Sequence, residues 1–481
     1  MDADFSLLRV AIILVSASKG LIPQGVHSTS GSGAPRLKQI VIFSVLLCGL
    51  ASFIACSNSN NPTQTTRIYP HRALISNTTG SRIDIADTTR DLLVTAISAD
   101  LPGKLLMSSD KKYTLALSPI TNSVSLVVNS SQTGIGSATL AGASESVILT
   151  VDNALILAAV PGEAGPVGQA PGAVDVVTVT SQTTTQGTST TLTRQPSIFL
   201  PGARFVAATP NTNTILAVSD SVANPAHVGG PTGRVWAIKT SLVNTNTLPY
   251  QEVVSAFWDH PVFAIADAAN STAYILNCGP ECGGTQASLV KVDLTVNPPV
   301  ATAQLVLPSG GTFGLLTGNT LFVAGSDPSV VCPTTPSIPS PCGAVTPVDL
   351  TSFTSGPPVA IAGGTHDRIA LGSNGLLFVG ARGCNVIRDA TDATKGAGCL
   401  SLVNTATGAV TVAPPTAFTP PATGPGNDDV TGIAPIANRN EVYVIEAAEL
   451  VIYDTTTLAV KKLNNPPNIV GQGVDVVAID F

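Results

Sequence analysis

The chain has 481 residues, 44% hydrophobic, only 11% charged and 4% aromatic, with a formal net charge of −7 at pH 7. Charge this sparse, against about 25% in an average soluble domain, excludes a highly charged disordered chain. The acidic balance lacks the basic footprint that neutralising a phosphate backbone needs, so nucleic acid is not an expected partner.

The amino terminus carries an export pattern. Residues 1–35 form a long lead with an apolar stretch of their own at 7–15. No Met falls between Met1 and Met107, so a start at a non-Met codon such as that of Leu37 would give a conventional short signal. The run at 40–55 (IVIFSVLLCGLASFIA) follows Arg36 and Lys38 and ends in small residues before Cys56. Its 16 residues, diluted by Ser44, Gly49 and Ser52, fall short of the roughly 20 that a spanning helix needs. Charge, apolar run and small-residue cut are in signal-peptide order, which assigns 1–55 to a signal region. Residues 53–56 (FIAC) resemble a bacterial lipobox, with Phe53 where that family prefers Leu. The resemblance implies that Cys56 is lipidated and anchors the exported chain in the cell envelope, at the outer membrane, its periplasmic face or the cell surface. An ordinary signal peptide cut near Ala55, with Cys56 an incidental thiol, is the alternative. Residues 57–66 (SNSNNPTQTT) have no apolar period, and 56–69 reads as a flexible tether.

From about residue 70 to 481, short runs rich in Val, Ile, Thr, Ala and Ser are separated by Gly, Pro, Asn and Asp, the pattern of strands and turns. No helical-length window carries a capped 3.6 period, so the fold class is all-β. One unit recurs at about fifty residues: an apolar strand, a turn, a second strand, a variable loop, and a third strand ending in V-x-D-x-T or a relative. The second strands are clearest at 114–117, 155–157, 215–218, 273–276, 321–324, 376–379 and 442–445. Third strands stand at 84–89, 125–129, 290–295, 402–407 and 452–457, where Asp or Asn followed by Thr suits a side-chain-capped turn. Four-stranded sheets stacked radially bury both faces of each sheet, which accounts for strands that are continuously apolar. Residues 73–76, 82–87 and 92–97 supply three strands without an inner one, and 474–479 (VDVVAI) is a single strand left over. Joining the two closes a β-propeller of eight four-stranded blades, with seven as the alternative count. These repeats resemble the YVTN-type, lactonase-like propeller family, most plainly 271–275 (STAYI) leading to 289–295 and 442–445 (VYVI) leading to Asp454-Thr455. The resemblance implies an exported or cell-surface protein. Variable blade lengths and third strands without Asp are departures from that family.

Six cysteines of the repeat region fall in local pairs, Cys278/Cys282, Cys332/Cys342 and Cys384/Cys399, each between a second and a third strand of consecutive blades. Close pairs in an exported chain suit disulfides, whereas structural zinc wants four ligands and no His flanks these loops.

Catalytic signatures are scarce: the sequence has no G-x-S-x-G elbow, no H-E-x-x-H and no Walker loop. The Asp389, Asp392 and Gly396 loop lacks the alternate acids and terminal Glu of an EF-hand. Residues just before each inner strand should ring one mouth of the central channel: Lys104, Glu145, Arg204, Asp259, His260, Thr312, His366, Asp367, Asp428 and Asp429. Acids and imidazoles in such a ring would hold a metal that polarises a lactone carbonyl or activates water. The plainer reading is a hydrated mouth whose charges cap strand ends and pair with one another. The sequence thus predicts a non-catalytic, membrane-tethered envelope or surface propeller, a binding or scaffold module for a protein, peptide or glycan, with no cofactor. A lactonase-like hydrolase with its site, and a metal, at the channel mouth is the alternative. A structural surface-layer component is a third.

Overall fold

Strand-forming runs that are apolar on both faces cannot be left against water on either, and stacking sheet on sheet around a ring satisfies every one of them. The computed structural model describes residues 69–184, 187–223, 232–326, 331–333, 338, 340–384, 399–412, 429–461, 463 and 467–480. It is an eight-bladed β-propeller of antiparallel sheets. Among the described residues the helical turns are two short 3-10 segments, Thr240–Leu242 and Gly279–Cys282.

Counting from the channel outward, blade 1 is Gly473–Asp480, His71–Asn77, Arg82–Asp87 and Leu92–Ser98, and blade 2 is Lys104–Met107, Tyr113–Ser118, Ser123–Val128 and Thr133–Thr139. Blade 3 is Ser146–Leu149, Leu155–Val160, Ala173–Thr184 and Gly187–Arg194, with Ile198–Phe199 also paired to its third strand. Blade 4 is Ala203–Ala208, Thr214–Ala223, Thr232–Lys239 and Tyr250–Glu252, and blade 5 is Pro261–Ala266, Thr272–Asn277, Ser288–Asp293 and Val300–Val306. Blade 6 is Phe313–Thr317, Thr320–Ser326, Gly343–Asp349 and Thr354–Ser355, with Val359–Ile361 continuing its outer edge. Blade 7 is Thr365–Leu371, Leu376–Arg382, Leu400–Asn404 and Val410–Val412, and blade 8 is Val430–Pro435, Glu441–Glu446, Glu449–Asp454 and Ala459–Val460.

The seven second strands read from the sequence are the second strands of blades 2 to 8. The ring closes as expected, with Gly473–Asp480 antiparallel to His71–Asn77 in the register Ala73↔Ala478 and Ile75↔Val476. His71 and Asp480 pair across the seam.

The core falls into eight apolar clusters, one at each interface between neighbouring blades. Along a single strand the side chains are dealt alternately to the two interfaces. Ile156, Ala158 and Val160 pack toward blade 2, while Leu157 and Ala159 pack toward blade 4. A period of two is therefore present but invisible in hydropathy, because both faces are buried. The inner strands of blades 4, 5 and 6 are further joined by Phe205, Phe263 and Phe313, with ring centroids 5.1 and 4.8 Å apart.

Candidate functional site

The polar end of the channel is shaped by β-bulges in the inner strands. Register slips by one residue at Arg204, Val262, Asp367, Thr431 and Val474, in blades 4, 5, 7, 8 and 1. A bulge leaves its extra residue without a cross-strand partner and re-aims it. In blade 7 this turns Asp367 toward the mouth and His366 into the blade.

Five charged groups gather at the mouth: Lys104, Glu145, Asp367, Arg368 and Asp475, which are electrostatically coupled around the Lys104 ammonium. Lys104 Nζ donates to the Glu145 carbonyl at 3.2 Å. Arg368 Nε donates to the Thr431 carbonyl at 2.5 Å and lies 3.8 Å from Asp475 Oδ1. Asp475 Oδ2 accepts the Leu105 N–H at 2.9 Å. Arg382 clamps Asp367 Oδ2 at 2.7 Å. One carboxylate on the closing strand thus ties blade 1 to blades 2 and 7, with blade 8 joined through Thr431. Burial, and then the Arg368 charge, depress the Lys104 ammonium below its ordinary value. Burial pushes the Asp475 carboxyl up, outweighing the opposing pull of Arg368, the Leu105 N–H and Lys104.

The other expected residues have partners of their own. Arg204 is exposed and pairs with Asp220 at 2.5 Å. Asp429 Oδ1 accepts the Gly383 N–H at 2.7 Å. Thr312 donates to the Ala324 and His366 carbonyls. Asp259 is buried and holds the loop that follows Cys282: its Oδ2 accepts the N–H groups of Thr285 and Gln286 and the Thr285 hydroxyl, at 2.8, 2.7 and 2.7 Å. Burial alone would raise its pKa, but the Thr285 hydroxyl, the Gln286 N–H and His260 together hold it below the usual range. His260 Nδ1 lies 3.1 Å from Asp259 Oδ1.

His366 does not face the channel. It is buried, with Nε2 donating to the Ala362 carbonyl at 2.9 Å and its ring packed on Gly343, where a Cβ would come within 2.4 Å of Cε1. Burial depresses its pKa and keeps it neutral. Asp428, the Asp389–Gly396 loop and Cys56 lie outside the described residues. Among the described residues, no three His, Cys, Asp or Glu side chains are grouped as a metal site would require.

Asp475 and Arg368 join the site beyond the residues that the sequence pattern predicts. The signal for Asp475 was present, because the leftover strand that closes the ring supplies an inner strand and its polar residue must join the mouth.

The cysteine pairs are disulfides: Cys278–Cys282, Cys332–Cys342 and Cys384–Cys399. Their loops stand between second and third strands of blades 5, 6 and 7; the blade 5 loop is laced to the end of the second strand of blade 6, and the ends of the second strands of blades 6 and 7 are laced to the residue before the next inner strand. The Glu281 carboxylate accepts the Ser326 N–H, Ser326 Oγ donates to the Gly364 carbonyl, and Gly383 N–H reaches Asp429. The channel mouth and the three pinned loops therefore share one face.

No family model matches the sequence, and no curated protein does. Among solved structures, AztD from Citrobacter koseri aligns over 85% of this chain and 97% of its own, with 12% identity and a TM-score of 0.53. The dihydro-heme d1 dehydrogenase NirN aligns over 85% and 75%, with 10% identity and a TM-score of 0.54. The periplasmic gluconolactonase PpgL of Pseudomonas aeruginosa aligns over 85% and 99%, with 12% identity and a TM-score of 0.41. The likeness is one of fold. With AztD and NirN it agrees with the β-propeller fold, and a fold of this kind does not fix a function.

Proposed function

We propose that the chain is a non-catalytic binding or scaffold module, a YVTN-type propeller exported and held at the envelope membrane by a lipid on Cys56. The observation that carries the reading is the three consecutive disulfide-pinned loops on one face. Loops on a rigid scaffold are the usual carriers of recognition, and pinning them lowers the ordering cost of binding a protein, peptide or glycan. The mouth charges are consistent with it, since Asp367, Asp429, Asp259 and Arg204 are each committed to another residue of the chain. Disulfides suit the oxidising compartment to which the signal region points.

The test pairs two measurements on the purified full chain. A photo-crosslinker at exposed Ser340, in the blade 6 loop, should yield adducts in envelope preparations that one at exposed Thr302, on an outer strand of blade 5, does not. Turnover of a lactone panel, with or without divalent cations, should stay at background. Turnover that disappears in Asp367→Asn would replace this reading with the hydrolase.

A further inference from the structure

Between blades 3 and 4, away from every inner strand, two adjoining hollows of ≈ 540 and ≈ 410 Å³ share Gln169, Phe199 and Tyr250 as common walls. They are formed by the loop between the second and third strands of blade 3, by the segment leaving that blade, and by the two outer strands of blade 4 and the turn between them. Phe199 is 37% exposed between Ile198 at 8% and Leu200 at 0%. The alternation follows from pairing: Ile198 and Phe199 add to the third strand opposite Val174 and Ala173, so one side chain faces the core and the next faces solvent. A chain that is only 4% aromatic thus gathers Phe199 and Tyr250 on the walls and Trp236 on the floor.

The polar lining consists of amides, the hydroxyls of Ser197 and Thr245, and one ion pair. Gln169, Gln195 and Asn244 bring side-chain amides, and Asn244 projects from a left-handed turn position at φ 64°. Gln195 Nε2 donates to Thr178 Oγ1 at 3.1 Å and to the Thr193 carbonyl at 3.4 Å, so its NH2 is engaged within the chain and its carbonyl is the group left to offer a ligand. The charged lining residues, Arg234 and Glu252, stand 3.8 Å apart and cancel.

We propose that this double cleft binds a neutral saccharide. A sugar ring offers an apolar C–H face to an aromatic wall and, around its edge, hydroxyls that both donate and accept, as amides do. The volume lies in the range of small-ligand sites, roughly 300–1,000 Å³. A phosphorylated or sulfated ligand would find no uncancelled positive charge. A proline-rich peptide would stack on the same aromatics, but its prolines bring no N–H, so the amide carbonyls of the cleft would be left without donors. The inference stands without the preceding one, because the cleft is separate from the disulfide loops.

The test is calorimetric titration of the full chain with a panel of neutral mono- and disaccharides built from glucose, galactose, mannose and N-acetylglucosamine. At least one should bind with a Kd below about 1 mM, and Phe199→Ala and Gln169→Ala should each weaken it by about tenfold. Gln169 sits in a surface loop, so its variant keeps the test open if Phe199→Ala folds poorly; unchanged melting curves certify the comparison. The proposal falls if no panel member binds up to about 10 mM, if both variants bind as the parent does, or if a proline-rich peptide or an anionic sugar binds in preference.

Discussion

The Glu281 carboxylate, inside the Cys278–Cys282 loop of blade 5, accepts the backbone N–H of Ser326 in blade 6 at 2.7 Å. The loop is therefore fixed twice, by its own disulfide and by the neighbouring blade. A hydrogen bond to an ionised acceptor contributes about 1.5–3 kcal/mol when the donor is otherwise desolvated. Glu281→Ala should cost about 1–2 kcal/mol in chemical denaturation, and Glu281→Gln, which keeps an acceptor, should cost less than half of that. Equal losses in the two variants would mean that the contact is spacing and not bonding.

The disulfides close loops of different length, with sequence separations of 4, 10 and 15. Loop-closure entropy then ranks them, from about 2 kcal/mol for Cys278–Cys282 to about 3 for Cys384–Cys399. Paired Cys→Ser variants, melted under oxidising conditions, should lose stability in that order. The reverse order would show that native contacts of each loop outweigh its closure entropy.

His366 makes stability depend on pH with a definite sign. Its folded pKa is depressed by burial, so the unfolded chain binds a proton first; its contribution is complete above 6.5 and is lost as pH falls through the folded value. The urea midpoint should therefore drop from pH 7 toward pH 5. His366→Gln, whose amide can still donate to the Ala362 carbonyl, should flatten that part of the profile. A slope unchanged in the variant would assign it to other groups.

Removal of residues 473–480 tests the closure directly. The strand supplies Val476 to the interface between blades 8 and 1 and Ile479 to that between blades 1 and 2. Without it two of the eight interfaces lose apolar material and His71–Asn77 becomes an open edge. The truncated chain should show no cooperative melting transition and should aggregate on concentration. A sharp transition near the parent temperature would mean that the ring is held without its seam.

Much of this architecture was legible because propeller strands are apolar on both faces, and the leftover strand at 474–479 named the closing partner. The turn chemistry was legible too: Asp87 Oδ1 accepts both the N–H and the hydroxyl of Thr89, at 2.9 and 2.6 Å, and Asp293 repeats the arrangement with Thr295. The mouth was harder. A bulge at Asp367 shifts side-chain parity by one residue, and nothing in a hydropathy pattern marks that shift, so His366 and Arg368, which a regular strand would set on one face, part company, His366 into the blade and Arg368 toward the mouth. The cleft at Phe199 is illegible in the sequence for a related reason. A two-residue strand inside a connection is too short to show a period.

Asp475 poses the sharpest question of energetics. Its carboxyl is buried, accepts the Leu105 and Val476 N–H groups at 2.9 Å each, and faces Arg368 at 3.8 Å, yet burial outweighs these partners and raises its pKa. A raised carboxyl contributes stability below its unfolded value of 3.8 and loses it as pH climbs through the folded one. At neutral pH the charge is thus a net cost to folding, as buried ion pairs of imperfect geometry often are. Asn resembles the protonated acid and keeps the oxygen that Leu105 needs but sets its NH2 against the Val476 N–H, so Asp475→Asn should stay within about 1 kcal/mol of the parent in stability at pH 7 and lose ground to it near pH 4. A loss of more than about 1 kcal/mol at pH 7 would show that the attraction to Arg368 and Lys104 prevails after all. A gain would mean that the closing strand keeps a carboxylate at the mouth against its own stability, which is what a group retained for binding looks like.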